Sequence, residues 1–261
     1  MNLLFFGRTG RQLFGAYHAP TPGVAVRGAA VLCPPWGPEY LVTHRILRRL
    51  AMRLNESGYH VLRFDYYGTG DSAGEREDGD LSSWYDDATL AVDELRDMSG
   101  CATVASFGIR LGAVIAWRLA AMRADVHATV LWDPVVRGEG YLRELVAAQL
   151  ESDRWSLSRK RWRPSPDRAI DLLGFPLTPS MRQSIEGVSP AEFRRPTQAQ
   201  VKLFYSDTLP VHEELHAALR SGKSSFDVET LPGQTPWRAD ETIGSGGLPF
   251  LVLRRMVESL Q

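Results

Sequence analysis

The sequence predicts an α/β fold: a mostly parallel central sheet with helices on both faces and a small helical cap. Two observations carry this. Short runs rich in apolar residues, Gly28–Cys33 (GAAVLC), His60–Tyr66 (HVLRFDY) and Ala128–Val135 (ATVLWDPV), alternate with segments of helical periodicity. Strands separated by helices of that length imply βαβ units and a parallel sheet. The second observation is Ala102–Ala113, ATVASFGIRLGA, in which a β-branched run enters a Gly-x-Arg-x-Gly turn and then a helix, AVIAWRLAAM.

Totals set the outer limits. At 261 residues the chain exceeds the ~150-residue prior for one domain, but open α/β domains reach this size, so 1–261 reads as one domain with an insertion. Lys plus Arg is 30 and Asp plus Glu is 31, a balance that gives no nucleic-acid signature. The two cysteines, Cys33 and Cys101, form no CxxC, so neither a disulfide framework nor a thiolate zinc site is indicated. The opening MNLLFFGRTGR is too short an apolar run for a signal-peptide core, and no stretch reaches the ~20 apolar residues of a membrane span. The expectation is a cytoplasmic protein without metal or cofactor.

In chain order, Leu3–Phe6 and Leu13–His18 read as an antiparallel hairpin at a sheet edge. Gly28–Cys33 is continuously apolar, as in a strand covered on both faces. Pro34-Pro35-Trp36-Gly37 ends it, and Ile46, Leu47, Leu50, Ala51 and Leu54 recur at helical spacing within 43–57. Gly68–Gly74 is a turn-rich loop; it lacks the Gly-Lys-Ser/Thr of a phosphate loop. Leu81–Met98 reads as an amphipathic helix. The alternation lapses between about 137 and 197, where helix-like pieces at 141–152 and 167–173 flank the basic, aromatic run RWSLSRKRWRPSPDR. This is the expected cap. Strands at 200–205 and 226–231, with helices at 211–219 and 248–260, complete the pattern.

RFDYYGTGDSAG resembles the D-x-x-G-x-G-x-S segment after the fourth strand of many α/β hydrolases. CPPWG stands where their oxyanion loop follows the third strand, GIRLG at the nucleophile elbow, and YSD at the usual place of the triad acid. Together CPPWGPEYLVTHR, VLRFDYYGTGDSAG and GIRLGA resemble a serine-aminopeptidase-like bacterial branch of that superfamily, found with exosortase and specialised-metabolite systems, some of whose members carry Gly-x-Arg-x-Gly. The resemblance implies an α/β-hydrolase fold over nearly the whole chain. It implies an acyl-handling activity, hydrolase or transferase, on a small ester, thioester or amide.

Two members of the implied triad are absent. The elbow residue is Arg110, whose guanidinium stays protonated and cannot attack a carbonyl. The stretch where the histidine would stand, LPGQTPWRADETIG, contains none, and no histidine follows His216. The alternative to an unorthodox enzyme is therefore an inactive relative that acts as a binding or scaffold protein.

An arginine at a helix N-terminus opposes the helix dipole by ~0.3–1 kcal/mol and needs an anion. Asp207 is the leading candidate and a substrate carboxylate or phosphate the second; Asp133 could alternatively pair with it. His44, beside the oxyanion loop, reads either as a helix-start residue or as a general base. The backbone N–H groups of Trp36 and Leu111 would form the oxyanion hole, with Tyr67 and Trp237 as further substrate-contacting positions. Cys33, Ser106 and Ser72 read as packing, sheet and turn residues. The cap's basic run is a solvated hinge or a rim for an anionic, carrier-bound acyl group.

Overall fold

In a computed structural model, residues 1–155, 168–233, 237 and 249–260 are described. The hairpin β1 (Asn2–Arg8) and β2 (Arg11–His18) opens the chain. There follow β3 (Gly28–Cys33), α1 (Pro38–Glu56), β4 (Tyr59–Phe64), α2 (Leu81–Ser99), β5 (Val104–Ile109), α3 (Leu111–Met122) and β6 (Val126–Trp132). After an insertion come β9 (Gln200–Tyr205), α6 (Pro210–Ser221), β10 (Phe226–Thr230) and α7 (Phe250–Glu258). The insertion holds α4 (Gly138–Trp155), the short hairpin β7 (Ile170–Leu172) and β8 (Phe175–Leu177), and α5 (Pro179–Glu186).

One sheet of eight strands runs in the order β1-β2-β4-β3-β5-β6-β9-β10. Every pairing from β4 to β10 is parallel, while β1–β2 and β2–β4 are antiparallel. The continuous apolar runs have their cause here. β3 and β5 sit between other strands and are covered on both faces, so Ala30 and Leu32 pack toward α1 and α7 while Ala29 and Val31 pack toward α2 and α3. The insertion shares the second of these cores: Leu142, Leu145, Leu172, Met181 and Phe193 belong to the same buried cluster as Val114 and Trp117 of α3.

Two local expectations are corrected. The segment at 167–173 is not helical: it contains β7, whose register pairs Ile170 with Leu177. Gly174, with φ +85°, supplies the left-handed turn that closes this hairpin, and Leu173 shares the positive φ. Helix α1 begins at Pro38, five residues before the expected start, because Gly37 at φ 67° turns the chain and Pro38 takes the first helical position. That shift places Glu39 in the first turn of a helix. The run RWSLSRKRWRPSPDR falls mostly at 156–167, outside the described residues. Among the described residues no helix is long and apolar enough to cross a membrane.

Candidate functional site

The elbow is a close crossing of backbones. A Cβ on Gly112 would lie 2.3 Å from the Cys33 carbonyl oxygen, and one on Gly108 2.4 Å from the Cα of Ala113. Only glycine lets α3 start this near to β3. Arg110 pays for the turn with φ 53° and ψ −119°, an uncommon conformation for a residue with a side chain. Its amide donates to the Trp132 carbonyl at 3.0 Å, which ties the turn to β6. The side chain is thereby raised above the carboxyl ends of the strands.

There Arg110 meets two glutamates. Its Nε donates to Glu39 Oε1 at 2.8 Å and its Nη2 to Glu144 Oε2 at 3.0 Å. The Tyr141 hydroxyl donates to the second Glu39 oxygen at 3.0 Å. The guanidinium carbon also lies 5.3 Å from the centre of the Tyr141 ring and 5.8 Å from that of Trp237, inside cation–π range. The two ends differ in burial: the Glu39 side chain is 4% exposed, that of Arg110 15%, and that of Glu144 66%.

Burial disfavours charge on both inner partners. At Arg110 this is outweighed by Glu39, Tyr141 and Glu144, which hold the guanidinium above its usual range. At Glu39 burial dominates and raises the carboxyl above the usual carboxylate range, against the pull of Arg110 and Tyr141. The guanidinium stays protonated, and Glu39 accepts from both its Nε and the Tyr141 hydroxyl, contacts that favour the carboxylate against burial. Glu39 also sits in the first turn of α1, where a negative charge suits the helix dipole.

The expected pairing of Arg110 with Asp207 or Asp133 is thus corrected to Glu39 and Glu144. Asp207 is exposed at the end of β9 and accepts from the Thr208 amide at 2.8 Å. Asp133, with φ 42°, accepts from the Ser206 amide at 2.8 Å. Each carboxylate serves the backbone where its strand ends. His44 is exposed on the opposite flank of α1 beside Tyr40, ring centres 6.1 Å apart, and does not reach Arg110. Tyr67 is likewise elsewhere: Arg11 stacks on its ring at 4.1 Å, and Gly74 lies against the same ring.

Trp237 does join Arg110, held edge-on against Trp132 at 4.7 Å. Trp36 and Leu111 are buried at the loop and at the first turn of α3, and neither backbone N–H has a hydrogen-bond partner among the described residues. Burial pushes the Cys33 thiol up to about 12, so it is no thiolate near neutral pH. Ser106 is inside the sheet, bonded to Thr129 and to the Ala116 carbonyl. Ser72 braces its loop by donating to the Asp65 carbonyl at 2.6 Å. Among the described residues no cluster of His, Cys, Asp or Glu could hold a metal ion.

The residues that sequence reasoning missed are Glu39, Tyr141 and Glu144. A signal for the first was present: Glu39 is the acid nearest the Pro34–Gly37 loop, three residues after Trp36. It was hidden by placing the helix start at residue 43.

The family description "serine aminopeptidase, S33" matches residues 43–219. No curated protein matches the sequence. Among solved structures, Est1E from Butyrivibrio proteoclasticus with ferulic acid bound is 19% identical with a TM-score of 0.71, over 98% of this chain and 97% of its own. A monoglyceride lipase from Saccharomyces cerevisiae in complex with a substrate analogue is 15% identical, TM-score 0.68, over 100% and 94%. An α/β serine hydrolase without lid from Xanthomonas campestris is 19% identical, TM-score 0.58, over 100% and 91%. At these identities the likeness is one of fold.

Proposed function

Starting from the chain's membership of the serine aminopeptidase S33 family of α/β hydrolases, we propose that it binds a small acyl compound non-covalently and forms no acyl-enzyme. The compound is an ester, thioester or amide, free or carrier-bound. The observation that carries this reading is Arg110 itself. The position that would present a nucleophile presents a cation, fixed on its inner edge by a buried carboxylate and a tyrosine hydroxyl.

The residues divide the work as follows. The amides of Trp36 and Leu111, which have no partner among the described residues, would donate to a carbonyl oxygen between them, as an oxyanion hole does. The Nη side of Arg110, whose one carboxylate partner is the exposed Glu144, would take a negative charge on the ligand. The ring of Trp237 would flank it. Glu39 and Tyr141 hold Arg110 in place and do not touch the ligand.

A second reading is slow hydrolysis by water without a covalent intermediate. The Trp36 and Leu111 amides, unpartnered among the described residues, favour it, because oxyanion donors alone can sustain a residual ~10³–10⁴ over water in a disabled triad enzyme. Hydrolysis of an ester, thioester and amide panel by wild type and Arg110→Ala, beside an equally purified blank, separates the two. The binding reading expects all three to match, while carboxylated acyl compounds raise the melting temperature of wild type only. Turnover in wild type that Arg110→Ala abolishes would establish the enzyme instead.

A further inference from the structure

The sheet face on the far flank of α1 carries an arginine where the pattern calls for an apolar residue. Tyr59 and Val61 of β4 pack under α1, and Arg63 continues the same alternation on the same face. Register puts Ala16 opposite Arg63, Leu3 opposite Ala16, and Phe5 opposite Phe14, so all of these share that face. Helix α1 does not extend over the hairpin: Leu3 and Phe5 are each 60% exposed. The result is a cleft of about 370 Å³, with Leu3, Phe14 and Leu47 as apolar walls and Arg63, Arg48 and His44 at one side. That volume falls in the range of small-ligand sites, ~300–1,000 Å³.

The positive charge here is only partly offset: burial disfavours the charge on Arg63, and nearby Asp65 favours it without forming a salt bridge. No carboxylate pairs with Arg63 or Arg48 among the described residues, and the hydrogen bond of Arg63 goes to His18 Nε2 at 3.5 Å. A half-buried cation normally has a counter-ion. Asp65 also faces the cleft and offsets part of that charge, while its carboxylate accepts from the Tyr40 hydroxyl at 2.6 Å and the Asp71 amide at 3.1 Å. His18 lies in the same field: burial first, then Arg63, the amino terminus and Arg48, bring it down to about 4.

We propose that this cleft is a second binding site, separate from the Arg110 centre, for a singly charged amphipathic carboxylate. The head group lies on Arg63 and Arg48, and the hydrocarbon runs along Leu3, Phe14 and Leu47 toward the uncovered hairpin. Asp65 and Asp71 at the rim restrict the ligand to one negative charge, which disfavours a phosphate dianion.

Calorimetric titration with octanoate tests this, with octanamide as the uncharged twin. Saturable octanoate binding is expected, at least tenfold weaker in Arg63→Gln and for octanamide, and about three- to tenfold weaker in Leu3→Ser. Leu3 is exposed at the sheet edge, so its substitution leaves the fold intact even if Arg63→Gln does not fold. Octanoate binding unchanged in both variants would place the ligand elsewhere and overturn the proposal, as would no binding at all. Co-sedimentation with phosphatidylglycerol vesicles in the absence of octanoate binding would overturn it too, and give the face to a membrane surface.

Discussion

Arg110 and Glu39 protect one another, and each is a liability alone. Breaking a buried ion pair by removing one partner costs roughly 3–5 kcal/mol, because the other charge is left unpaired. Arg110→Met is therefore expected to lower stability by about that amount in chemical denaturation. Arg110→Met with Glu39→Gln should recover most of the loss, since the Tyr141 hydroxyl still finds a side-chain oxygen. Equal losses in the single and double variants would show that the pair is not coupled. Glu144 is different. Its carboxylate is mostly exposed, and such pairs contribute ~0–1 kcal/mol, so Glu144→Gln should leave the melting temperature nearly unchanged. It competes with a ligand for Nη2, however, and its removal should tighten carboxylate binding roughly two- to sixfold. Glu144→Asp keeps the charge but not the reach and should give the same gain; a gain in Gln alone would mean a general field effect.

At the level of elements, the turn between β5 and α3 keeps its close backbone crossing with an arginine at its centre. Its glycines are required by backbone contact, so Gly112→Ala should cost ~1–3 kcal/mol or more, read as a fall in melting temperature or in folded yield. An unchanged melting temperature would mean that α3 can retreat from the Cys33 carbonyl at no cost. The elbow and the strands were legible because their signals are local: apolar runs, Gly spacing, turn residues. The partners of Arg110 were not. Glu39 is 71 residues away and Glu144 lies 34 residues on, in α4, and which acid meets an arginine depends on how α1 and α4 cross the sheet. No periodicity in the chain encodes that crossing. The same holds for His44, whose proximity to the oxyanion loop in sequence is undone by the helical turn that points it away from Glu39. The β7–β8 hairpin was missed because three-residue strands leave too short a pattern to read against a helix.

Across the whole molecule, stability should decline on the acid side for an identifiable reason. His18 and His212 are buried and held down to about 4, in both cases chiefly by burial. Below the ordinary histidine value of ~6.5 the unfolded chain takes up protons that the folded one refuses. Their contribution is thus intact above pH ~6.5 and is lost as pH falls toward 4. Thermal melting across that window should show the decline, and His212→Gln should flatten part of it; a profile identical to wild type would remove His212 from the account. The fold as a whole was readable from the order of strands and helices alone, and the sheet order confirms it. The most direct test is intact-mass spectrometry of the protein incubated with activated esters and thioesters, alongside titration of their unreactive carboxylated analogues. The account predicts no mass shift, together with saturable binding that the folded Arg110→Met, Glu39→Gln double variant loses. A stable acyl adduct on the wild-type chain, or binding indifferent to Arg110, would contradict it.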